Sequence, residues 1–229
     1  MSKKIFIAIG GTGGHVFPGY NLARHLEKKN YEIELISDKR GFNFLKKTEN
    51  LKISVLPSSP LIKKNVFSLF FSLSLILYSI LRSLVFLIFN RPKIIFGMGG
   101  YSSFPICIAA ALLKIKFLTY ENNLIVGKAN EYLLPFAKKM LVSHEELEGV
   151  SQKYKYKIFK VGNIIKKEII IFFEKNQKIK KNDQLKILVL GGSQAGKIFA
   201  ETLPKIFLQC INQGIQLKIF QHCLSSQNE

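Results

Sequence analysis

Glycine-rich turns carry the residues of this sequence whose types and spacing could do chemistry. The first turn runs from Gly10 to His15, the second from Gly97 to Ser103, and the third from Gly191 to Gly196. Each turn follows a short apolar run and precedes a helical pattern. Glycines in this position allow positive φ and let a phosphate or a sugar approach the backbone N–H groups of a helix N-terminus. The three turns together predict a site for an anionic ligand at the carboxyl ends of strands.

His15 stands at the end of the first turn. A histidine can be neutral near physiological pH and can then take a proton from a hydroxyl group. A histidine that caps or packs on the following helix is the commoner explanation of such a position. The residues alone therefore favour a structural role and leave a role as general base open.

Two common nucleotide-binding patterns fail at these turns. A G-x-G-x-x-G dinucleotide pattern that starts at Gly11 would need glycine at Val16, so NAD binding is disfavoured. The third turn matches G-x-x-x-x-G-K through Lys197, but Ile198 stands where a hydroxyl should hold magnesium. A P-loop nucleotidase therefore remains only a minor alternative.

Composition limits the kinds of partner. The chain has 229 residues, 48% of them hydrophobic, and a formal net charge of +19. Its lysines are spread along the chain, so we expect phosphates or an anionic membrane surface as partners and no nucleic acid. Cys107, Cys210 and Cys223 form no C-x-x-C pair and no D-x-D pair occurs, so we expect no metal site and no cofactor. The apolar run Ile5–Ile9 is too short for a signal peptide, so export is not expected.

Short apolar runs alternate with helical patterns along most of the chain. This alternation predicts an α/β fold with a parallel sheet that is covered on both faces. Ser143 and Glu146 have the spacing of a capping box, which predicts a helix start there. The lysine-rich stretch 175–183 predicts a linker, and the short region after it suggests an incomplete second domain. Strands are expected at Ile5–Ile9, Glu32–Ile36, Ile53–Leu56, Ile94–Phe96, Lys116–Tyr120, Lys139–Val142, Leu185–Leu190 and Ile215–Phe220, and helices at Val16–Lys29, Ser102–Leu113, Val126–Phe136 and Ile198–Ile211.

The segment Val66–Phe89 is long and apolar enough to span a membrane, with Arg82 as its single charge. A single crossing would, however, place the first two glycine turns on opposite sides of the bilayer, although both belong to one predicted sheet. We therefore expect a crossover helix with one face on the sheet and the other on anionic lipid, and a fully buried helix is the alternative. The expected membrane contacts are Lys63, Lys64, Phe67, Phe70, Phe71, Leu75, Tyr78 and Arg82.

Five motifs occur in a fixed order along the chain. They are GGTGGHVFPG from Gly10 to Gly19, GMGGY from Gly97 to Tyr101, ENN from Glu121 to Asn123, VGN from Val161 to Asn163, and GGSQ from Gly191 to Gln194. In order and spacing these motifs resemble the MurG family of glycosyltransferases. The resemblance implies the GT-B fold class, in which two Rossmann-like domains face each other across a cleft. It implies an N-terminal acceptor- and membrane-binding domain at 1–162, a linker at 163–184 and an incomplete donor-binding domain at 185–229.

The resemblance also implies an activity and its residues. The family transfers N-acetylglucosamine, with inversion, from UDP-N-acetylglucosamine to the C4 hydroxyl of lipid I, which gives lipid II for peptidoglycan. This implies a peripheral enzyme on the cytoplasmic face of the inner membrane, with His15 as the catalytic base. The implied donor-binding residues are Thr12, Gly13, Gly14, Asn123, Lys166 and Ser193, and the implied residues for the acceptor diphosphate are Gly11, Gly13, Gly14, Gly99, Gly100 and Tyr101.

One departure and one rival interpretation accompany the resemblance. Lys166 stands where the family has arginine, and a lysine cannot reproduce the planar fork of an arginine side chain. Some two-chain relatives split this fold, so a membrane-docking subunit that tethers a catalytic partner is the main rival. We expect the 229-residue chain alone to be inactive.

Overall fold

The computed structural model divides into two compact units, Met1–Ile169 and Ile170–Glu229. The predicted domain limits at 162/163 and 184/185 stay predictions. The residues that the structure describes are 3–46, 51–60, 65–175, 184–191 and 197–222.

A parallel sheet of seven strands forms the centre of the first unit, in the order β3-β2-β1-β4-β5-β6-β7. Every pair of neighbouring strands in this sheet is parallel, so all the carboxyl ends lie at one edge. The strands are β1 (Lys4–Ile9), β2 (Glu32–Ser37), β3 (Lys52–Val55), β4 (Ile94–Gly97), β5 (Phe117–Glu121), β6 (Lys139–Val142) and β7 (Ile158–Lys160), and the helices of this unit are α1 (Gly13–Glu27), α2 (Lys39–Leu45), α3 (Val66–Phe89), α4 (Gly100–Leu112) and α5 (Lys128–Leu133), with a 3-10 helix at Gln152–Lys157.

Side chains of β1 alternate between two apolar layers, as the period of a strand requires. Ile7 packs in a cluster with Val16 of α1 and Leu45 of α2. Phe6 packs on the opposite face, in a cluster with residues of α3, α4 and α5. The predicted doubly covered parallel sheet is therefore present.

The order of the strands places a switch point between β1 and β4. The chain first winds from β1 outward to β2 and β3, and then returns through α3 to β4 on the other side of β1. In open α/β sheets, ligands bind at the carboxyl edge beside such a point. The first two glycine turns follow β1 and β4, so both lie at this point.

Helix α3 packs with an unusual distribution of polar and apolar residues. Its buried face carries Ser72, Ser79 and Ser83, and these hydroxyls donate to backbone carbonyls one turn earlier in the same helix. Small, internally satisfied side chains let α3 approach α4 closely. The other face exposes Phe67 and Phe70, which keep 88% and 73% of their surface. By length and composition α3 is the one helix of the described residues that could span a membrane, with 22% of its most apolar window buried.

The second unit contains two parallel strands, β8 (Leu185–Val189) and β9 (Leu217–Gln221), joined through α7 (Lys197–Asn212). Helix α6 (Lys167–Lys175) crosses the boundary between the units. The helix start predicted at Ser143 is wrong. The backbone N–H and the hydroxyl of Ser143 both donate to the carbonyl oxygen of Glu121, which ties β6 to the end of β5 instead.

Candidate active site

The first two glycine turns meet at His15. Nδ1 of His15 lies 2.9 Å from the carbonyl oxygen of Met98, at the end of β4. Gly99 and Gly100 have φ of +88° and +72°, a region that favours glycine. A Cβ on Gly100 would lie 3.1 Å from Cδ2 of His15. Both glycines are therefore needed for the second turn to pass under the imidazole ring.

The contact with Met98 determines which nitrogen of His15 can act as a base. A carbonyl oxygen can only accept a hydrogen bond, so Nδ1 must carry the proton that it donates. In the neutral ring the lone pair then belongs to Nε2. His15 is half-buried, at the first turn of α1. The geometry thus prepares Nε2 to accept a proton from a ligand.

Pro18 within α1 leaves a backbone carbonyl of the first turn free to accept a hydrogen bond from the loop after β5. Proline has no N–H, so the carbonyl of Gly14, four residues earlier, receives no helical hydrogen bond from it. The side-chain amide of Asn122 donates to this carbonyl at 3.5 Å. Asn122 belongs to the loop after β5, so three strand ends are linked around His15.

Asp38 holds the first turn from the side of β2. Its Oδ1 accepts hydrogen bonds from the N–H of Gly11 at 3.1 Å and from the N–H of Gly41 at 2.7 Å. The residue is 6% exposed, and a Cβ on Gly10 would lie 2.5 Å from the same oxygen. The N–H of Gly11 is therefore directed to Asp38. Gly13 and Gly14 form the first turn of α1, where N–H groups lack acceptors within the helix.

Tyr101 of the second turn is held by a residue of α2. The Arg40 guanidinium donates to the Tyr101 hydroxyl at 2.9 Å. The Tyr101 ring lies beside Gly11, 3.7 Å from the position that a Cβ would take there. The two turns are thus in contact at Tyr101 as well as at His15.

Glu121 organises the loop after β5. Its Oε1 accepts from the backbone and side-chain amides of Asn123, and its Oε2 accepts from the N–H of Gly127 and from Asn130. The residue is 2% exposed. Because the Asn123 amide group donates to Glu121, its oxygen is turned away from that carboxylate. Glu121 therefore orients the predicted donor residue Asn123 without being able to reach a ligand itself.

Tyr120 fixes the segment that leads to Lys166. Its hydroxyl donates to the carbonyl of Gly162 and accepts from the N–H of Ile164. Burial raises the pKa of Tyr120, with a smaller contribution from the charge of Glu121. The hydroxyl consequently stays protonated and keeps both bonds. Lys166 itself is exposed, one residue before α6.

The structure assembles only part of the predicted site. The two acceptor turns and His15 are in contact, with Thr12 at the N-cap position of α1 and Asn123 on the neighbouring loop. Ser193 and the membrane residues Lys63 and Lys64 lie outside the described residues. No group of three or more His, Cys, Asp or Glu side chains suited to a metal ion occurs among the residues that the structure describes.

Three residues that matter for this geometry were assigned no role from the sequence, although Glu121 belongs to the ENN motif. Asp38 comes directly after β2, and Glu121 is the last residue of β5. Arg40 is two residues after Asp38. A polar residue directly after a buried strand is a signal that could have been used, because strand ends meet at one edge of a parallel sheet. Asp38 and Arg40, however, also have partners far away in the chain, Gly11 and Tyr101.

Comparison with solved structures defines the class of fold. MurG of Acinetobacter baumannii superimposes with a TM-score of 0.71 at 24% identity, covering 98% of this chain and 59% of that one. A glycosyltransferase from Rickettsia africae superimposes with a TM-score of 0.56 at 13% identity, covering 99% of this chain and 70% of that one. These likenesses confirm the predicted fold class, the Rossmann-like α/β fold of GT-B glycosyltransferases.

Comparison of sequences identifies the family. Residues 5–142 match the glycosyltransferase family 28 N-terminal domain, and the chain therefore belongs to this family. Membership of this family does not favour either of the two alternatives raised from the sequence, a P-loop nucleotidase and a membrane-docking subunit.

Curated relatives carry the name UDP-N-acetylglucosamine–N-acetylmuramyl-(pentapeptide) pyrophosphoryl-undecaprenol N-acetylglucosamine transferase. The protein of Pelagibacter ubique is 34% identical over 223 residues, which are 96% of this chain and 60% of the relative. The protein of Francisella tularensis is 32% identical over 224 residues, with the same coverage of 96% and 60%. The chain thus spans about 60% of the length of the relatives it matches.

Proposed function

We propose that this chain provides the acceptor-binding domain and the catalytic base of a transferase that moves N-acetylglucosamine from UDP-N-acetylglucosamine to the C4 hydroxyl of lipid I. The observation that carries the proposal is the junction of both glycine turns at His15, with Nδ1 directed to Met98. The names of the 34% and 32% identical relatives support the choice of donor and acceptor.

The reaction is a single displacement at the anomeric carbon of the donor sugar. The C4 oxygen of the acceptor forms a bond to this carbon while the bond to the diphosphate oxygen breaks, and UDP leaves with the electron pair. The proton of the C4 hydroxyl passes to Nε2 of His15. Attack from the face opposite the leaving group inverts the anomeric configuration.

Backbone amides supply the electrostatic support in this proposal. The first-turn N–H groups of α1, at Gly13 and Gly14, and of α4, at Gly100 and Tyr101, suit the acceptor diphosphate. Asn123 and Lys166 are assigned to the donor, as is Ser193. This assignment needs no metal ion, because helix N-termini and a lysine stabilise the departing charge.

The proposed lipid substrate requires contact with a membrane surface, and α3 is suited to it. Its exposed face carries Phe67, Phe70, Phe71 and Tyr78, beside the exposed cation Arg82. Aromatic residues with an adjacent cation favour the headgroup region of anionic lipid. We assign the chain to the cytoplasmic side of the inner membrane as a peripheral protein.

A transfer assay tests the proposed reaction. The chain is completed with the C-terminal portion of the Pelagibacter ubique relative and incubated with radiolabelled UDP-N-acetylglucosamine and lipid I. We expect label in lipid II with an inverted linkage, and none when lipid I lacks its C4 hydroxyl. Label that stays in the donor, or that appears only as free sugar, would contradict the proposal.

A further inference from the structure

A cavity of about 300 Å³ lies beside the two glycine turns, on the side of β2 and β3. This is the lower end of the range of about 300–1,000 Å³ that is usual for ligand sites, so the cavity suits part of a ligand. It is lined by Asp38, Lys39, Arg40, Val55, Leu56, Pro57, Ser58, Pro60 and Tyr101. We call it the Tyr101 pocket.

Two cations give the Tyr101 pocket its charge. Lys39 and Arg40 are exposed, and within the described residues neither forms an ion pair with a carboxylate. Arg40 donates one hydrogen bond to the hydroxyl of Tyr101. The other N–H groups of its planar guanidinium can donate to a ligand. Asp38 directs its Oδ1 towards the amides of Gly11 and Gly41, and its Oδ2 accepts from the hydroxyl of Ser58, so both oxygens have donors. The opening therefore favours an anion.

The remaining wall of the pocket is apolar. Val55 is 49% exposed, and Leu56, Pro57 and Pro60 continue the wall along the loop after β3. A phosphate alone gains nothing from such a wall, because apolar surface is stabilised only when another apolar group covers it. The ligand that fits has an anionic group joined to a hydrocarbon chain.

The position of the pocket indicates which part of the acceptor it receives. The loop after β3 and the beginning of α3 lie at the same edge of the sheet as the glycine turns, since the chain leaves β3 there. The chain from Pro60 to Asn65, the N-cap of α3, spans at most about 18 Å. The exposed side chains of Phe67 and Phe70 follow immediately. The pocket therefore lies at the same edge of the sheet as the proposed diphosphate site, and only a short stretch of chain separates it from the proposed membrane face.

We infer that the Tyr101 pocket is the exit subsite for the lipid of the acceptor. Arg40 and Lys39 contact the phosphate next to the prenyl chain, and Val55, Pro57 and Pro60 cover the first isoprene units. This inference rests on the proposed function for the identity of the acceptor. The pentapeptide of the acceptor is the competing occupant, but the apolar wall of the pocket and its short separation along the chain from the α3 face favour the prenyl chain.

Binding of small probes to the 229-residue chain tests the inference without a transfer reaction. Farnesyl diphosphate and inorganic diphosphate are compared by calorimetry. We expect farnesyl diphosphate to bind about tenfold more tightly, because its chain covers the apolar wall. Equal affinities for the two probes, or no binding of either, would overturn the inference.

Two pairs of variants assign this binding to the pocket. Val55→Asn is expected to remove most of the difference in affinity between the two probes. Val161→Asn, at a position with a similar exposure of 47%, is expected to retain this difference. Arg40→Gln is expected to lower the affinity for both probes about tenfold, because a charge-assisted hydrogen bond is lost. Arg24→Gln removes an arginine that pairs with Glu27 on α1 and should change neither affinity. Lys39→Gln is a second test of the charge, and circular dichroism verifies that each variant is folded.

Other outcomes separate this inference from the proposed function. If soluble muramyl pentapeptide, and not farnesyl diphosphate, loses affinity in Arg40→Gln, the pocket binds peptide and the inference is wrong. If the completed transferase is active but Val55→Asn and Arg40→Gln leave its KM for lipid I unchanged, the subsite is wrong and the function stands. If the probes behave as expected but no sugar is transferred to lipid I, the subsite stands and the proposed function is wrong.

Discussion

Asp38 shows how a buried carboxylate can build a binding turn without taking part in chemistry. Its Oδ1 accepts two backbone N–H groups, one from the glycine turn at Gly11 and one from α2 at Gly41. Glu121 does the same for the loop at Asn123 and Gly127. A charged acceptor strengthens such bonds, which stabilises backbone conformations that the glycines alone would leave open.

We expect Asp38→Ala to lower the free energy of unfolding by about 1–3 kcal/mol, because two buried N–H groups lose their acceptor. Asp38→Asn retains an oxygen in the same place and should cost less. Urea unfolding gives the free energies, and hydrogen exchange at the amides of Gly11 and Gly41 locates the effect. Unchanged exchange at both amides in Asp38→Ala would contradict the role assigned to Asp38.

Glu34 links stability to pH. Its side chain is 1% exposed, 3.3 Å from the amine of Lys4 and 3.2 Å from that of Lys52. Burial alone would raise the pKa of Glu34, but hydrogen bonds from Ser54, Lys52 and Lys4 outweigh it and hold the pKa below the ordinary 4.5. A depressed folded-state pKa stabilises the folded protein above the ordinary value, and this contribution is lost as the pH falls through the folded value.

The stability difference between the wild-type chain and Glu34→Gln should therefore depend on pH. We expect it to be largest above pH 4.5 and to shrink as the pH falls below that value. Urea midpoints measured from neutral to acidic pH give the profile. A difference that grows on acidification would show that the pKa is raised in the folded protein.

At the scale of the element, α3 has one face that packs against the protein and another that is exposed. Ser79 and Ser83 lie on the buried face, where short side chains allow close contact, and the aromatic residues lie on the exposed face. This is the reverse of the usual arrangement, in which the apolar stripe of a helix faces the core. An exposed apolar face of this extent marks an interaction surface.

Substitutions on the two faces of α3 should have opposite effects. Ser79→Leu overpacks the buried face and should lower the free energy of unfolding by about 1–3 kcal/mol. The double variant Phe70→Ser and Phe71→Ser should leave stability unchanged and weaken binding to vesicles that contain phosphatidylglycerol. Vesicle sedimentation and urea unfolding measure the two effects. Undiminished vesicle binding of the double variant would argue against α3 as the membrane face.

At the scale of the whole molecule, the sequence predicted the parallel arrangement and the strands of the described residues except β7 (Ile158–Lys160), which is short and has no buried residue. The strand Lys139–Val142 was predicted with its observed bounds, because a buried parallel strand is apolar on both faces. Helices were less well predicted where tertiary contacts decide. The pattern at Ser143 suggested a helix start, but the backbone of Glu121 takes both hydrogen bonds from Ser143.

The candidate site was predictable only as far as local patterns reach. Glycine turns and His15 stand out in the sequence because special backbone conformations need glycine. The contact between His15 and Met98 joins residues that are 83 positions apart, and no local pattern specifies it. The roles of Asp38 and Arg40 depend on similar long-range contacts, with Gly11 and Tyr101.

The rate of sugar transfer by His15→Ala tests the central claim most directly. The chain is completed with the C-terminal portion of the Pelagibacter ubique relative, and kcat is measured with lipid I as acceptor. We expect His15→Ala to lower kcat by about 10²- to 10⁴-fold, because Nε2 no longer takes the proton of the C4 hydroxyl, while the KM for UDP-N-acetylglucosamine changes little. Equal kcat values for the parent and for His15→Ala would contradict the account.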